Sequence, residues 1–167
     1  MSPFINGVVL AGGKGRRMGG KQKSQLLLGG QPLVQHVINQ VKPQVNKLLI
    51  NANSGLSFFK STSLPVRSDS CEGHLGPLAG ILTAMEWTAR EYPKIDYILS
   101  APVDNPFLPN DLVSELMAAK KGKNADIAVA SSGSNVHYTV GIWPVEQKDR
   151  LRSALLIEKV RRVEKWA

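Results

Sequence analysis

The stretch Ile5-Asn6-Gly7-Val8-Val9-Leu10-Ala11-Gly12-Gly13-Lys14-Gly15-Arg16-Arg17-Met18-Gly19-Gly20-Lys21-Gln22-Lys23 runs from a short apolar segment straight into glycines and cations. Residues 5–11 read as a buried strand. Residues 10–23 then carry five glycines and five cations, Lys14, Arg16, Arg17, Lys21 and Lys23. Glycine lets the backbone take positive φ and approach a ligand closely. Successive peptide N–H groups then turn toward an anion. The cations add to this: two unit charges ~4 Å apart gain about 4 kcal/mol at an effective dielectric of ~20. A plain surface loop needs neither the glycines nor the charge directly after a buried strand. The pattern points to a phosphate-binding loop at the end of the first strand of an α/β sheet.

The rest of the chain repeats the alternation that such a sheet requires. Helical spacing of Val34, Val37, Ile38 and Val41 predicts a helix over 32–41, stopped by Pro43. Strands follow at 47–51 and, shorter, at 64–67. Leu78, Ile81, Leu82, Met85 and Ala89 form one apolar stripe and predict a helix over 77–92, with Pro77 in its first turn. A strand is predicted at 96–101, then a helix over 109–119 with Asn110 and Asp111 as capping acceptors. Strands at 125–130 and 138–143, joined by 131–135, precede a helix over 146–156. The expected architecture is a single α/β domain over 1–167, with a mainly parallel central sheet flanked by helices. In such sheets ligands sit beyond the carboxyl ends of the strands. The residues to inspect are therefore 12–23, 51–53, Asp69 and 102–106.

Composition narrows the possible partners. The 167 residues are 43% hydrophobic and 20% charged, enough apolar content for a full core. Lys and Arg number 21 against 13 Asp and Glu, giving +8, which favours anionic ligands. A second basic group, from Lys148 to Lys165, lies near the C-terminus. Aromatic content of 6%, not interleaved with the cations, argues against nucleic acid. No apolar run approaches a membrane span, and residues 1–6 do not read as a secretion signal. Cys71 is the sole cysteine, so no internal disulfide forms. A cytoplasmic protein with no membrane partner is expected.

Two common phosphate motifs nearly match and fail. Gly15, Gly20 and Lys21 have P-loop spacing, but Gln22 stands where Ser or Thr must meet magnesium. Gly13 and Gly15 begin the dinucleotide fingerprint, but Met18 occupies its third glycine. The loop instead resembles, together with Gly30-Gln31-Pro32-Leu33, the molybdenum cofactor guanylyltransferase family of the nucleotidyltransferase superfamily. The resemblance continues through Asn51-Ala52-Asn53, Asp69, Gly76-Pro77-Leu78-Ala79-Gly80, Pro102-Val103-Asp104-Asn105-Pro106-Phe107 and His137, over about residues 7–166.

This resemblance implies a Rossmann-like nucleotidyltransferase fold. It also implies transfer of GMP from GTP to the terminal phosphate of molybdopterin, with Mg²⁺ as cofactor. Position by position, it gives nucleotide binding to Leu10, Ala11, Gly12, Gly13, Lys23, Asn51, Asp69 and Asp104. Catalysis falls to Lys23 and Asp104, and the metal to Asp104. Lys21 competes with Lys23 for the phosphates. Asp69 suits the guanine N–H groups because a carboxylate accepts several hydrogen bonds. Asp104, between Pro102 and Pro106, suits Mg²⁺, which takes one or two carboxylates plus phosphate oxygens. No Ser-His-Asp or Cys-His set is discernible, and phosphorus transfer of this kind needs none.

Other residues read as structural. Cys71 and His74 have no second pair for zinc. His36 reads as a helix residue, and Trp87, Trp143 and Trp166 as packing. His137 matches a family histidine, but Tyr138 and Asn135 replace the proline and arginine that usually flank it, so the acceptor-binding region departs from the family. The family's Asn-x-Asn-Thr-Pro segment does not follow Arg161-Arg162-Val163, which implies nucleotide binding with poorer transfer. A monomer is expected, with transient contact to molybdoenzyme maturation proteins. Two alternatives stay open: a related transferase using CTP or a sugar phosphate, and a nucleotide- or pterin-binding protein with impaired catalysis.

Overall fold

The structure is a computed structural model that describes residues 4–13 and 22–167. Residues 14–21, and with them Lys21 and most of the expected phosphate loop, lie outside the described residues. Strand β1 (Ile5–Leu10) is buried along its whole length. A strand sends alternate side chains to opposite faces. Ile5 and Val9 enter one core with helices α1 (Leu33–Val41) and α3 (Leu112–Gly122). Val8 and Leu10 enter the other with α2 (Pro77–Glu91) and α4 (Lys148–Leu156). β1 is therefore apolar on both faces because helices cover both faces.

The remaining strands are β2 (Leu27–Leu28), β3 (Gln31–Pro32), β4 (Leu48–Asn51), β5 (Val66–Arg67), β6 (Tyr97–Pro102), β7 (Ala128–Ser132) and β8 (Asn135–Pro144). β2 and β3 make a small hairpin, and the others form a six-stranded sheet in the order β5-β4-β1-β6-β8-β7. β5, β4, β1 and β6 are mutually parallel, whereas β8 runs antiparallel to both β6 and β7. This is the α/β, mainly parallel sheet that the alternation implied. A short helix, α5 (Val163–Trp166), places Val163 against the α2 side of the core.

Three local features differ from the sequence reading. The β7–β8 connection is tighter than 131–135: the strands run to Ser132 and from Asn135, with Gly133 at φ 58 in the turn. A register shift between Val129 and Ala130 follows, so Ala130 pairs His137 while Val129 pairs Gly141. Helix α3 begins at Leu112, and Asp111 makes no side-chain cap. Gln44 acts instead from the 3-10 turn after α1: its Oε1 accepts from the Val113 N–H (3.0 Å), and its Nε2 donates to the Pro109 carbonyl (3.0 Å). The hairpin β2–β3 was not legible at all; His36 holds it to α1 through Nε2 and the Leu28 carbonyl at 2.7 Å.

On the α2 side, Arg152 of α4 meets Glu86 of α2 through Nε and Nη2 at 2.9 and 2.6 Å, and this carboxylate holds the guanidinium pKa above its usual value. Among the described residues no helix is long and apolar enough to cross a membrane. The four parallel strands bring the ends of β1, β4, β5 and β6 to one edge of the sheet.

Candidate functional site

A cleft of about 430 Å³ opens at that edge. Its walls include Leu10, Ala11, Gly12 and Gly13 after β1, Asn51 at the end of β4, Asp69 after β5, Asp104 after β6, and Lys23. The eight residues given a nucleotide role by the resemblance thus line one cavity, although Leu10 and Asp104 are 94 positions apart. Parallel pairing is the cause, since Leu10 lies beside Asn51 on one side and Pro102 on the other.

The backbone after β1 is partly committed. The Ala11 N–H donates to the Asn51 carbonyl at 2.8 Å, and the Leu10 carbonyl accepts from the Val103 N–H at 3.2 Å. Among the described residues, the Gly12 and Gly13 N–H groups meet no backbone carbonyl and remain the donors that this segment offers.

Asp69 is held with more definition. Asn51 Nδ2 donates to its Oδ1 and Asn53 Nδ2 to its Oδ2, both at 2.9 Å. Asn53 Oδ1 accepts in turn from the Asp69 N–H at 2.8 Å, closing a ring around the carboxylate. Asn51 Nδ2 also reaches the Arg67 carbonyl at 3.2 Å. A carboxylate has about four acceptor positions. Two amides occupy two of them, so each oxygen keeps one for a ligand in the cleft.

Asn51 is itself placed by α2. It is 3% exposed, wedged beneath Gly80 in the first turns of that helix. A Cβ at Gly80 would fall 2.7 Å from Leu10 Cδ2 and closer still to Asn51 Oδ1. Only glycine lets α2 approach the ends of β1 and β4 this closely.

At the far side of the cleft, Lys23 Nζ lies 3.2 Å from Asp104 Oδ2, with both side chains about half exposed, at 49% and 50%. An exposed pair of this kind contributes little to stability. Its interest is chemical: it sets one cation and one carboxylate side by side at the mouth of the cleft. Among the described residues there is no cluster of three or more metal-ligating side chains.

Asn53, Gly80 and His74 were not assigned roles from sequence. Asn53 belongs to the segment 51–53 that follows β4, and the packing of Gly80 cannot be read from sequence without α2 in place. His74 lines the cleft from the loop before α2, at φ 51, while Cys71 is buried in the core. Trp143 is fully buried, Trp87 Nε1 donates to Glu91 at 2.9 Å, and Trp166 lies under Arg150. All three act in packing rather than at the cleft.

Comparison with known proteins places the chain in a family. The family model described as the MobA-like NTP transferase domain matches residues 7–166. A protein of Nitrobacter hamburgensis named molybdenum cofactor guanylyltransferase is 41% identical over 164 residues, 98% of this chain and 78% of that protein. One of the same name from Mesorhizobium japonicum is 45% identical, over 95% of this chain and 76% of its own length. The crystal structure of molybdopterin-guanine dinucleotide biosynthesis protein A from Archaeoglobus fulgidus shares the fold, with a TM-score of 0.72, 21% identity, and coverage of 96% of this chain and 77% of that one. The chain belongs to the MobA-like NTP transferase domain family and is a nucleotidyltransferase.

Proposed function

We propose that the chain transfers GMP from GTP to the terminal phosphate of molybdopterin, releasing pyrophosphate and forming molybdopterin guanine dinucleotide. The Asn51–Asp69–Asn53 clamp carries this reading. Guanine offers two neighbouring donors, the N1–H and the 2-amino group, to the two remaining acceptor positions of Asp69. Cytosine offers one amino donor beside acceptor atoms, which the carboxylate would repel. The names of relatives that are 41–45% identical support the same acceptor and nucleotide.

The reaction forms one bond, from an acceptor phosphate oxygen to the α-phosphorus, and breaks one, from the α-phosphorus to the bridging oxygen of the leaving pyrophosphate. With the acceptor phosphate as a dianion, charge balances without moving a proton. No general base is therefore needed, and the work is positioning and neutralisation of charge. The Gly12 and Gly13 N–H groups and the Lys23 ammonium supply positive potential to the triphosphate. Asp69 fixes the base and so sets where the α-phosphorus lies. Asp104 would hold Mg²⁺, which supplies Lewis-acid stabilisation of phosphoryl oxygens when bound.

The test is incubation with nucleotide, Mg²⁺ and molybdopterin, following pyrophosphate and the dinucleotide by mass. GTP should give both products and CTP little of either. Faster turnover with CTP than with GTP, or GTP binding that is saturable but never leads to pyrophosphate release, contradicts the reading.

A further inference from the structure

Gln22 departs from the P-loop pattern and is not among the residues that line the cleft. It stands directly before Lys23, where it opens the 3-10 turn Lys23–Gln25. Its Nε2 donates to Ser54 Oγ at 2.7 Å, across 32 positions of sequence. Ser54 directly follows Asn53, which holds Asp69. The bond therefore ties the neighbour of Lys23 to the neighbour of Asn53. Among the described residues it is the only side-chain hydrogen bond between the Lys23 turn and the β4–β5 connection.

The backbone opposite makes room for it. Gly55 takes φ 64, a left-handed value that glycine adopts without strain. A Cβ there would fall 2.6 Å from Gln22 Oε1 and 2.9 Å from Nε2. The amide thus lies against the bare Cα of Gly55, and a side chain at that position would push it off Ser54.

Such a bond does little for the fold. Ser54 is exposed, and water replaces a surface hydrogen bond at small cost. Its consequence is for spacing. A nucleoside triphosphate spans two halves of the site, with its base at Asp69 and its phosphates at Lys23. When two linked groups bind two subsites, the second binds at an effective concentration set by how well the spacing is held. Loosening that spacing removes preorganisation while each subsite stays intact.

We propose that Gln22 is a positioning residue. Its bond to Ser54 fixes the Lys23 turn relative to the Asn53–Asp69 clamp, so that base and triphosphate are bound together. The proposal rests on the guanylyl-transfer reading for its choice of ligand.

Competition measurements separate the two ideas. Displacement of fluorescent N-methylanthraniloyl GTP from the whole chain gives the affinity for GTP and, separately, for its halves, guanosine and tripolyphosphate. Gln22→Met keeps the length of the side chain and removes its amide, whereas Ser54→Ala removes the acceptor. Each should weaken GTP about tenfold while both halves stay within about twofold of wild type. Tm should stay within about 2 °C of wild type. The double variant should bind GTP no more weakly than either single one, because one bond is lost in all three. Ser54→Thr keeps the hydroxyl and should bind GTP as the wild type does. GTP affinity within about twofold of wild type in both single variants overturns the proposal. So does a loss shared equally by guanosine or tripolyphosphate, which marks a damaged subsite, and so does a double variant whose loss is the product of the two. A wild-type chain that prefers CTP overturns the guanylyl-transfer reading instead; cytidine then replaces guanosine, and the spacing role is judged on CTP by the same comparison.

Discussion

Gly80→Ala sets two effects of opposite sign against each other and links a helix position to ligand affinity. In a helix, alanine is favoured over glycine by about 1 kcal/mol. The new Cβ meets Leu10 Cδ2 at 2.7 Å and overlaps Asn51 Oδ1, so two buried neighbours must move. Overpacking of this kind costs about 1–3 kcal/mol. The net destabilisation is then about 0–2 kcal/mol. For a chain of this size 1 kcal/mol moves Tm by roughly 2–4 °C, so Tm should fall by no more than about 8 °C. Affinity should respond more sharply. Displacing the Asn51 amide removes the donor at 2.9 Å from Asp69 Oδ1. A hydrogen bond to a charged group contributes about 1.5–3 kcal/mol. If the clamp presents Asp69 to guanine, GTP Kd should rise at least tenfold by isothermal titration calorimetry, while CTP binding changes little. In an Asn51→Ala background the same substitution should add little further loss, because the clamp is already broken. A GTP Kd within twofold of wild type in folded Gly80→Ala would refute the coupling.

Three further outcomes follow from the same geometry. Asn53→Ala deletes the partners of both the Asp69 carboxylate and the Asp69 N–H; thermal unfolding should show a loss of about 1–2 kcal/mol, and GTP should again lose more than CTP. Asp104→Asn should lower the transfer rate by roughly 100-fold and raise the Mg²⁺ concentration needed for half-maximal rate, while Mg²⁺-free GTP binding holds or tightens as Lys23 loses its carboxylate neighbour. Lys23→Ala should weaken GTP about tenfold; if only Lys21→Ala does so, the phosphate role belongs to Lys21.

Much of the site was legible because it depends on order along the chain. Gly12 and Gly13, Asn51, Asp69 and Asp104 each follow an apolar run, and parallel pairing gathers such positions automatically. What escaped has a different physical origin. The antiparallel β8 and its shifted register next to Ala130 depend on how a hairpin docks beside β6, and the periodicity of either strand is silent on direction. The cap of α3 comes from Gln44, some seventy positions before the helix, so Asp111 was a reasonable local choice overtaken by a distant side chain. Gly80 and Asn53 gain meaning only against Asn51 and Asp69, which other elements supply.

On the proposed reading, the cleft at the carboxyl edge directs attack at the α-phosphorus of GTP. A single-turnover reaction with enzyme, Mg²⁺ and molybdopterin, run in parallel with α-labelled and γ-labelled GTP, follows both phosphorus atoms. Guanylyl transfer puts the α label in the dinucleotide and the γ label in pyrophosphate, both reduced by Asp104→Asn. Release of the γ label as inorganic phosphate, with the α label left in GDP, would contradict it.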